Sequence, residues 1–88
     1  MTKERLQAAL AAYKAGDFEA AMRTYRALAD EDDAFAQSSL GYMYRRGEGV
    51  TTDEAEALKW YRKAAEKGYA PAQSNLGFMY QFGKGVPQ

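Results

Sequence analysis

The chain has 88 residues, with 17 alanines, 12 aromatic residues, no cysteine and no histidine, and its 12 basic and 12 acidic side chains cancel. Isoleucine is absent and valine occurs only at Val50 and Val86, which argues against a sheet, while abundant alanine favours helices whose axes approach closely. The same composition excludes an imidazole base, a thiolate nucleophile, a histidine or cysteine zinc site and a disulfide framework, and zero net charge gives no general pull toward nucleic acid or anionic lipid.

The first predicted helix spans 3–15 and includes the longest apolar run, Ala8 to Tyr13, far below the roughly 20 residues that cross a bilayer. No membrane partner is expected. Because Met1-Thr-Lys-Glu-Arg5 is followed by no apolar signal core, the chain as given reads as cytoplasmic. A turn at Gly16 leads to a second helix over 18–30, with Ala21, Tyr25 and Leu28 on one face.

Asp30-Glu-Asp-Asp33 reads as a solvated turn in which Asp32 or Asp33 caps the next helix. It lacks the alternating ligands and the glycine of a calcium loop. The third helix, 34–46, places Ala36, Leu40, Met43 and Tyr44 on its packing face and Ser38, Tyr42 and Arg45 opposite. Gly41 inside it and Gly77 inside the fifth helix each cost about 1 kcal/mol relative to Ala, which close packing by a neighbouring helix is expected to offset at both.

Gly47-Glu-Gly49 ends that helix, and Thr51, Thr52 and Asp53 are candidate caps for the next, with Thr51-x-x-Glu54 fitting a capping box. Neither this loop nor Gly83-Lys-Gly85 carries a P-loop or dinucleotide fingerprint. The fourth helix, 53–67, has Ala57, Tyr61 and Ala64 on one face, flanked by Leu58, Trp60 and Ala65. Carboxylates at Asp53, Glu54 and Glu56 suit a helix start and need no catalytic explanation. Gly68 and Pro71 then mark the break before a fifth helix over 70–82.

These elements repeat. Ala36-Gln-Ser-Ser-Leu-Gly-Tyr-Met-Tyr-Arg-Arg-Gly-Glu-Gly-Val50 returns as Ala72-Gln-Ser-Asn-Leu-Gly-Phe-Met-Tyr-Gln-Phe-Gly-Lys-Gly-Val86, ten of fifteen positions being identical at an offset of 36. A weaker copy pairs Ala21-Met-Arg-Thr-Tyr-Arg26 with Ala57-Leu-Lys-Trp-Tyr-Arg62 at the same offset. Further back, Tyr13 pairs with Tyr44 and Gly16 with Gly47 at an offset of 31, so the first repeat has a shorter loop. One helical-repeat domain over 1–88 follows, with repeats at about 3–32 and 34–68 and a half repeat at 70–88.

The pattern Ala-Gln-x-x-Leu-Gly-x-Met-Tyr-x-x-Gly-x-Gly-Val, followed by Asp53 and by Ala57-Leu-Lys-Trp-Tyr-Arg-Lys-Ala-Ala-Glu-Lys-Gly68, resembles the Sel1-like repeat, a longer-looped relative of the tetratricopeptide repeat. Residues 9 to 30 look more like an ordinary tetratricopeptide unit. The resemblance implies an all-α, right-handed solenoid of antiparallel helix pairs, about two and a half repeats in five helices. It also implies a concave surface, lined by the first helices, that holds other proteins or peptides.

Stacking the repeats in register brings Gln7, Ala11 and Lys14 beside Ser38, Tyr42, Arg45 and Arg46, and these beside Ser74, Phe78, Gln81 and Phe82. Aromatic and arginine side chains of this kind form binding hot spots, and Arg grips carboxylates bidentately. The alternative is that Tyr42 and Phe78 pack on each other and that Arg45 and Arg46 are solvated helix ends. Ala11 stands where the later repeats carry an aromatic, so the groove should be shallower there.

The expected function is a non-catalytic scaffold or adaptor for a protein or peptide, with no cofactor, metal or nucleic acid. A second reading starts from the half repeat, in which Leu76, Met79 and Tyr80 would lack the helix that normally covers part of them: the chain is a fragment of a longer array, or the last helix caps it by packing on 53–67, or the edge pairs with another copy as a homodimer or head to tail.

Overall fold

The computed structural model describes residues 2–84. Its five helices are α1 (Thr2–Lys14), α2 (Phe18–Asp30), α3 (Ala34–Arg46), α4 (Glu54–Glu66) and α5 (Ala70–Gln81), and no strand occurs among the described residues. Each helix packs on its neighbours in the chain, and the molecule is elongated, 39 × 26 × 18 Å, as expected for repeats that lean on one another.

The helix starts are fixed by aspartates. Asp17 accepts a hydrogen bond from the Ala20 amide at 3.2 Å, Asp33 from the Ala36 amide at 2.9 Å and Asp53 from the Glu56 amide at 3.0 Å. The Thr51-x-x-Glu54 capping box is therefore not used. The Asp53 amide donates to the Tyr44 carbonyl at 2.9 Å, which draws the loop back onto α3 and puts Asp53 rather than Thr51 at the helix entry. The helix α5 has no side-chain cap and starts with Pro71 in its first turn.

The core is divided in two. Tyr25, Leu28, Leu40, Met43 and Trp60 belong to one cluster; Leu58, Tyr61, Ala64, Ala72 and Met79 belong to the other. Trp60, on α4, packs with residues of α2 and α3 and so ties the second repeat to the first. On its outer side the ring is covered by Arg26, Lys59 and Lys63, and its Nε1 donates to Glu56 at 3.2 Å.

The sequence repeat is also a repeat of hydrogen bonds. Buried Gln37 donates from Nε2 to the Ala29 carbonyl at 3.2 Å, and Gln73 does the same to the Ala65 carbonyl at 3.1 Å. Arg26 donates to the Tyr44 hydroxyl, and Arg62, 36 residues on, donates to the Tyr80 hydroxyl. Around Gln37 the contact is extended by Lys67, which pairs with Asp32 at 2.7 Å and reaches the Gln37 Oε1 at 3.3 Å. Two members of the acidic turn are thus structural: Asp33 is a cap, and Asp32 takes a positive φ and holds Lys67.

The loop after α3 has a packing role. Gly47 takes the left-handed conformation that ends α3, as Gly16 does after α1, in keeping with their pairing at the shorter offset. Glu48 then turns back to accept from the Tyr13 hydroxyl at 2.9 Å, and Gly49 lies so close to Phe18 that a Cβ there would stand 2.9 Å from the Phe18 Cβ. The longer loop of the second repeat is used to grip the first.

Candidate functional site

One face of the molecule carries a cavity of about 220 Å³ lined from three repeats: Leu10 and Tyr13 of α1, Tyr25 of α2, Phe35, Ser38, Ser39, Tyr42 and Met43 of α3, Tyr69, and Asn75 of α5. Its aromatic wall is continuous, with ring centroids 6.2 Å apart between Tyr25 and Phe35 and 6.4 Å apart between Phe35 and Tyr69. Leu10 and Phe35 also border a shallower depression of about 540 Å³ that runs along α1 past Leu6 to Thr2 and Lys3. This end of the groove is apolar and open. Phe35 is 38% exposed and, beside the equally open Leu10, forms part of a contiguous apolar surface.

Toward the C-terminal end of α3 the chemistry changes. The Arg45 guanidinium carbon lies 5.5 Å from the Tyr42 ring centroid and 5.4 Å from that of Phe78, so the cation rests against two aromatic rings from adjacent repeats. Arg46 also approaches Tyr42, at 5.3 Å, and pairs with Glu48 at 3.5 Å. Arg45 makes no ion pair among the described residues. Its Nε and the Tyr61 hydroxyl are both buried without a hydrogen-bond partner there.

Three tyrosines near this centre, Tyr13, Tyr61 and Tyr25, are held neutral. Burial, assisted by the hydrogen bond to Glu48, pushes the Tyr13 hydroxyl up to about 12. Burial also raises Tyr61, with Arg45 pulling in the opposite direction, and raises Tyr25, partly offset by its hydrogen bond with Ser39. Such groups donate hydrogen bonds at neutral pH and do not act as bases. No group of three or more His, Cys, Asp or Glu residues placed to hold a metal occurs among the described residues, and no helix there is long and apolar enough to cross a membrane.

Of the residues expected to form the groove, the structure brings together Ser38, Tyr42, Arg45, Arg46, Phe78 and Phe82. Ser38 is buried in the cavity wall, and the exposed rings of Phe78 on α5 and Phe82 at its C-cap meet in a tilted pair with centroids 4.8 Å apart. Lys14, Ser74 and Gln81 are exposed and line neither cavity. Tyr42 and Phe78 are bridged by Arg45, an arrangement between the two alternatives that the sequence leaves open.

The expected edge needs a correction. Met79 is 0% exposed because α4 covers it, just as the neighbouring helices cover its repeat equivalent, Met43. Leu76 is half-buried against the same cluster, and of the three only Tyr80 is exposed.

The lining residues Leu10, Tyr13, Phe35, Ser39, Tyr69 and Asn75 are not singled out for the groove by the sequence, which places Tyr25 and Met43 on packing faces. Phe35 did carry a signal: it is a large aromatic in a helix's first turn, off the Ala36, Leu40, Met43 face, where the next repeat has Pro71.

Comparison with known proteins agrees with the repeat geometry. The family model described as the Sel1 repeat matches residues 34–69 and 70–88, leaving residues 1–33 outside the matched repeats. The crystal structure of a Sel1 repeat protein from Oxalobacter formigenes superposes with a TM-score of 0.86 at 38% identity, over 92% of this chain and 33% of that one. The structure of a protective antigen of uropathogenic Escherichia coli strains, displaying an SLR fold, superposes with a TM-score of 0.92 at 31% identity, over 99% of this chain and 19% of that one. The chain thus spans a third or less of the length of these two proteins. No curated protein matches it in sequence. The chain belongs to the Sel1 repeat family, an α-solenoid family whose members are in general protein-interaction scaffolds.

Proposed function

We propose that the protein is a non-catalytic scaffold or adaptor that holds a segment of another protein in the groove formed by α1, α3 and α5, with Tyr42, Arg45 and Phe78 at its centre. The observation that carries this reading is Arg45: a cation backed by two aromatic rings, without a carboxylate of its own among the described residues, at the end of an open apolar cavity. A guanidinium held against flat surfaces, with no ion pair among the described residues, is poised to bind a carboxylate, since little further ordering is needed.

Selection from a random peptide library displayed on phage tests the reading. The protein should enrich peptides containing Asp or Glu, and the Tyr42→Ala/Arg45→Ala variant, with unchanged helicity by circular dichroism, should not. Equal enrichment by both would rule the groove out.

A second reading is favoured by α5, where Phe78, Tyr80 and Phe82 are 42%, 47% and 53% exposed. Self-association through this helix would cover them. Light scattering over a concentration series separates the readings, because a monomer at every concentration removes assembly.

A further inference from the structure

We propose that α5 carries a second docking surface, beside the groove but on a different face of the helix, which takes an antiparallel α-helix of a partner protein with a tyrosine at its centre. Gln73, Gly77 and Tyr80 form this surface, and Gly77 is the notch that receives the ring.

The repeat supplies a filled copy of the same surface. Gln37, Gly41 and Tyr44 stand at i, i+4 and i+7 on α3, and the same three residue types return at Gln73, Gly77 and Tyr80 on α5. On α3 this face is covered by α4. The Tyr61 ring comes within 2.9 Å of where a Cβ on Gly41 would stand, and Lys67, at the end of α4, donates to the Gln37 Oε1 at 3.3 Å. Gln37 and Gly41 are buried, and Tyr44 is half-buried.

On α5 the same face is open among the described residues. Gln73, Gly77 and Tyr80 are all exposed, and a Cβ on Gly77 would meet nothing within 4 Å. Glycine inside a helix lowers its stability, and no packing among the described residues offsets that at Gly77. The residues around the notch are nevertheless set as they are on α3. Gln73 donates to the Ala65 carbonyl as Gln37 does to that of Ala29, and Arg62 holds the Tyr80 hydroxyl as Arg26 holds that of Tyr44. An incoming helix would therefore meet a surface already ordered for it.

The filled copy fixes the occupant. Gly41 meets Tyr61, while Gln37, four residues earlier, meets Lys67, six residues later, so the covering helix runs antiparallel. Ala57 and Ala64, at i−4 and i+3 from Tyr61, are fully buried, because only small residues beside the ring let the two axes approach. The partner's helix accordingly reads Ala-x-x-x-Tyr-x-x-Ala-x-x-Lys. A second copy of this chain does not offer its own α4 for this purpose, since its Tyr61 is already buried against its Gly41.

The test uses the full chain and, as probe, a capped fluorescent peptide with the sequence of residues 53–68, which carries the pattern. Fluorescence anisotropy should show saturable binding, weakened about tenfold by Tyr61→Ala in the peptide. In the protein, Gly77→Ala puts a methyl group where the ring would lie and should also weaken binding about tenfold, with helicity by circular dichroism retained. No binding overturns the proposal. Binding that Gly77→Ala leaves unchanged places the peptide in the groove or on α3 and overturns it as well. Self-association of the parent chain that Gly77→Ala abolishes would put a second copy on this face and contradict a partner helix there.

Discussion

The Tyr61 ring occupies the space that a side chain at position 41 would need: a Cβ on Gly41 would lie 2.9 Å from Cδ1 of Tyr61 and 3.0 Å from Cε1. This contact lets α3 and α4 approach closely, and Tyr61 is fully buried by it. Gly77 holds the same repeat position on α5, yet a Cβ there would meet nothing within 4 Å. One substitution should therefore have opposite signs at the two sites. Gly41→Ala should destabilise the protein by about 1–3 kcal/mol through overpacking against a buried ring. Gly77→Ala should stabilise it by up to about 1 kcal/mol through helix propensity. Urea unfolding of both variants measures this; shifts of the same sign would contradict the packing described.

The cap of α4 offers a second pair. Asp53→Ala removes the acceptor for the Glu56 amide and should cost about 1 kcal/mol. Thr51→Ala removes an exposed hydroxyl that caps nothing and should stay within about 0.5 kcal/mol of the parent. Thermal unfolding by circular dichroism distinguishes the two positions, and a larger loss at Thr51 would restore the capping box suggested by the sequence.

The contact between Tyr13 and Glu48 should appear at alkaline pH. The Tyr13 hydroxyl ionises at about 12 in the folded chain, against an ordinary value of 10.0. The unfolded chain then releases this proton first, so the stabilisation is complete below pH 10 and is lost as pH rises through 12. Tyr13→Phe cannot ionise and should lose stability less steeply across that interval, with a cost near neutrality of about 1 kcal/mol for the missing hydrogen bond. Equal slopes for parent and variant in urea unfolding from pH 9 upward would show that Tyr13 is not held in this way.

The helices were legible in the sequence because apolar spacing and the offset of 36 depend on local order. Features that depend on how the helices sit against one another were harder to read. Three consecutive cap-competent residues precede α4, and the choice of Asp53 is made by a bond to Tyr44 on another helix. The meeting of Arg45 with Phe78 follows from stacking the repeats in register. The cavity between Leu10, Phe35 and Tyr69 does not, because it depends on the angle between α1 and α3, which spacing along one helix does not encode. Met79 lies under α4 and not at an edge, which agrees with the packing-face position of its repeat equivalent, Met43.

The central claim, that a protein segment lies in the groove of α1, α3 and α5, is tested most directly by mapping a bound peptide onto the backbone. Amide NMR spectra of the full chain are recorded with and without the tightest peptide from the random selection. The account predicts that the shifted amides cluster at Leu10, Phe35 to Arg46 and Asn75 to Phe82, and that Arg45→Gln abolishes the changes around Arg45. Shifts confined to the outward sides of α2 and α4, or none at saturating peptide, would contradict it.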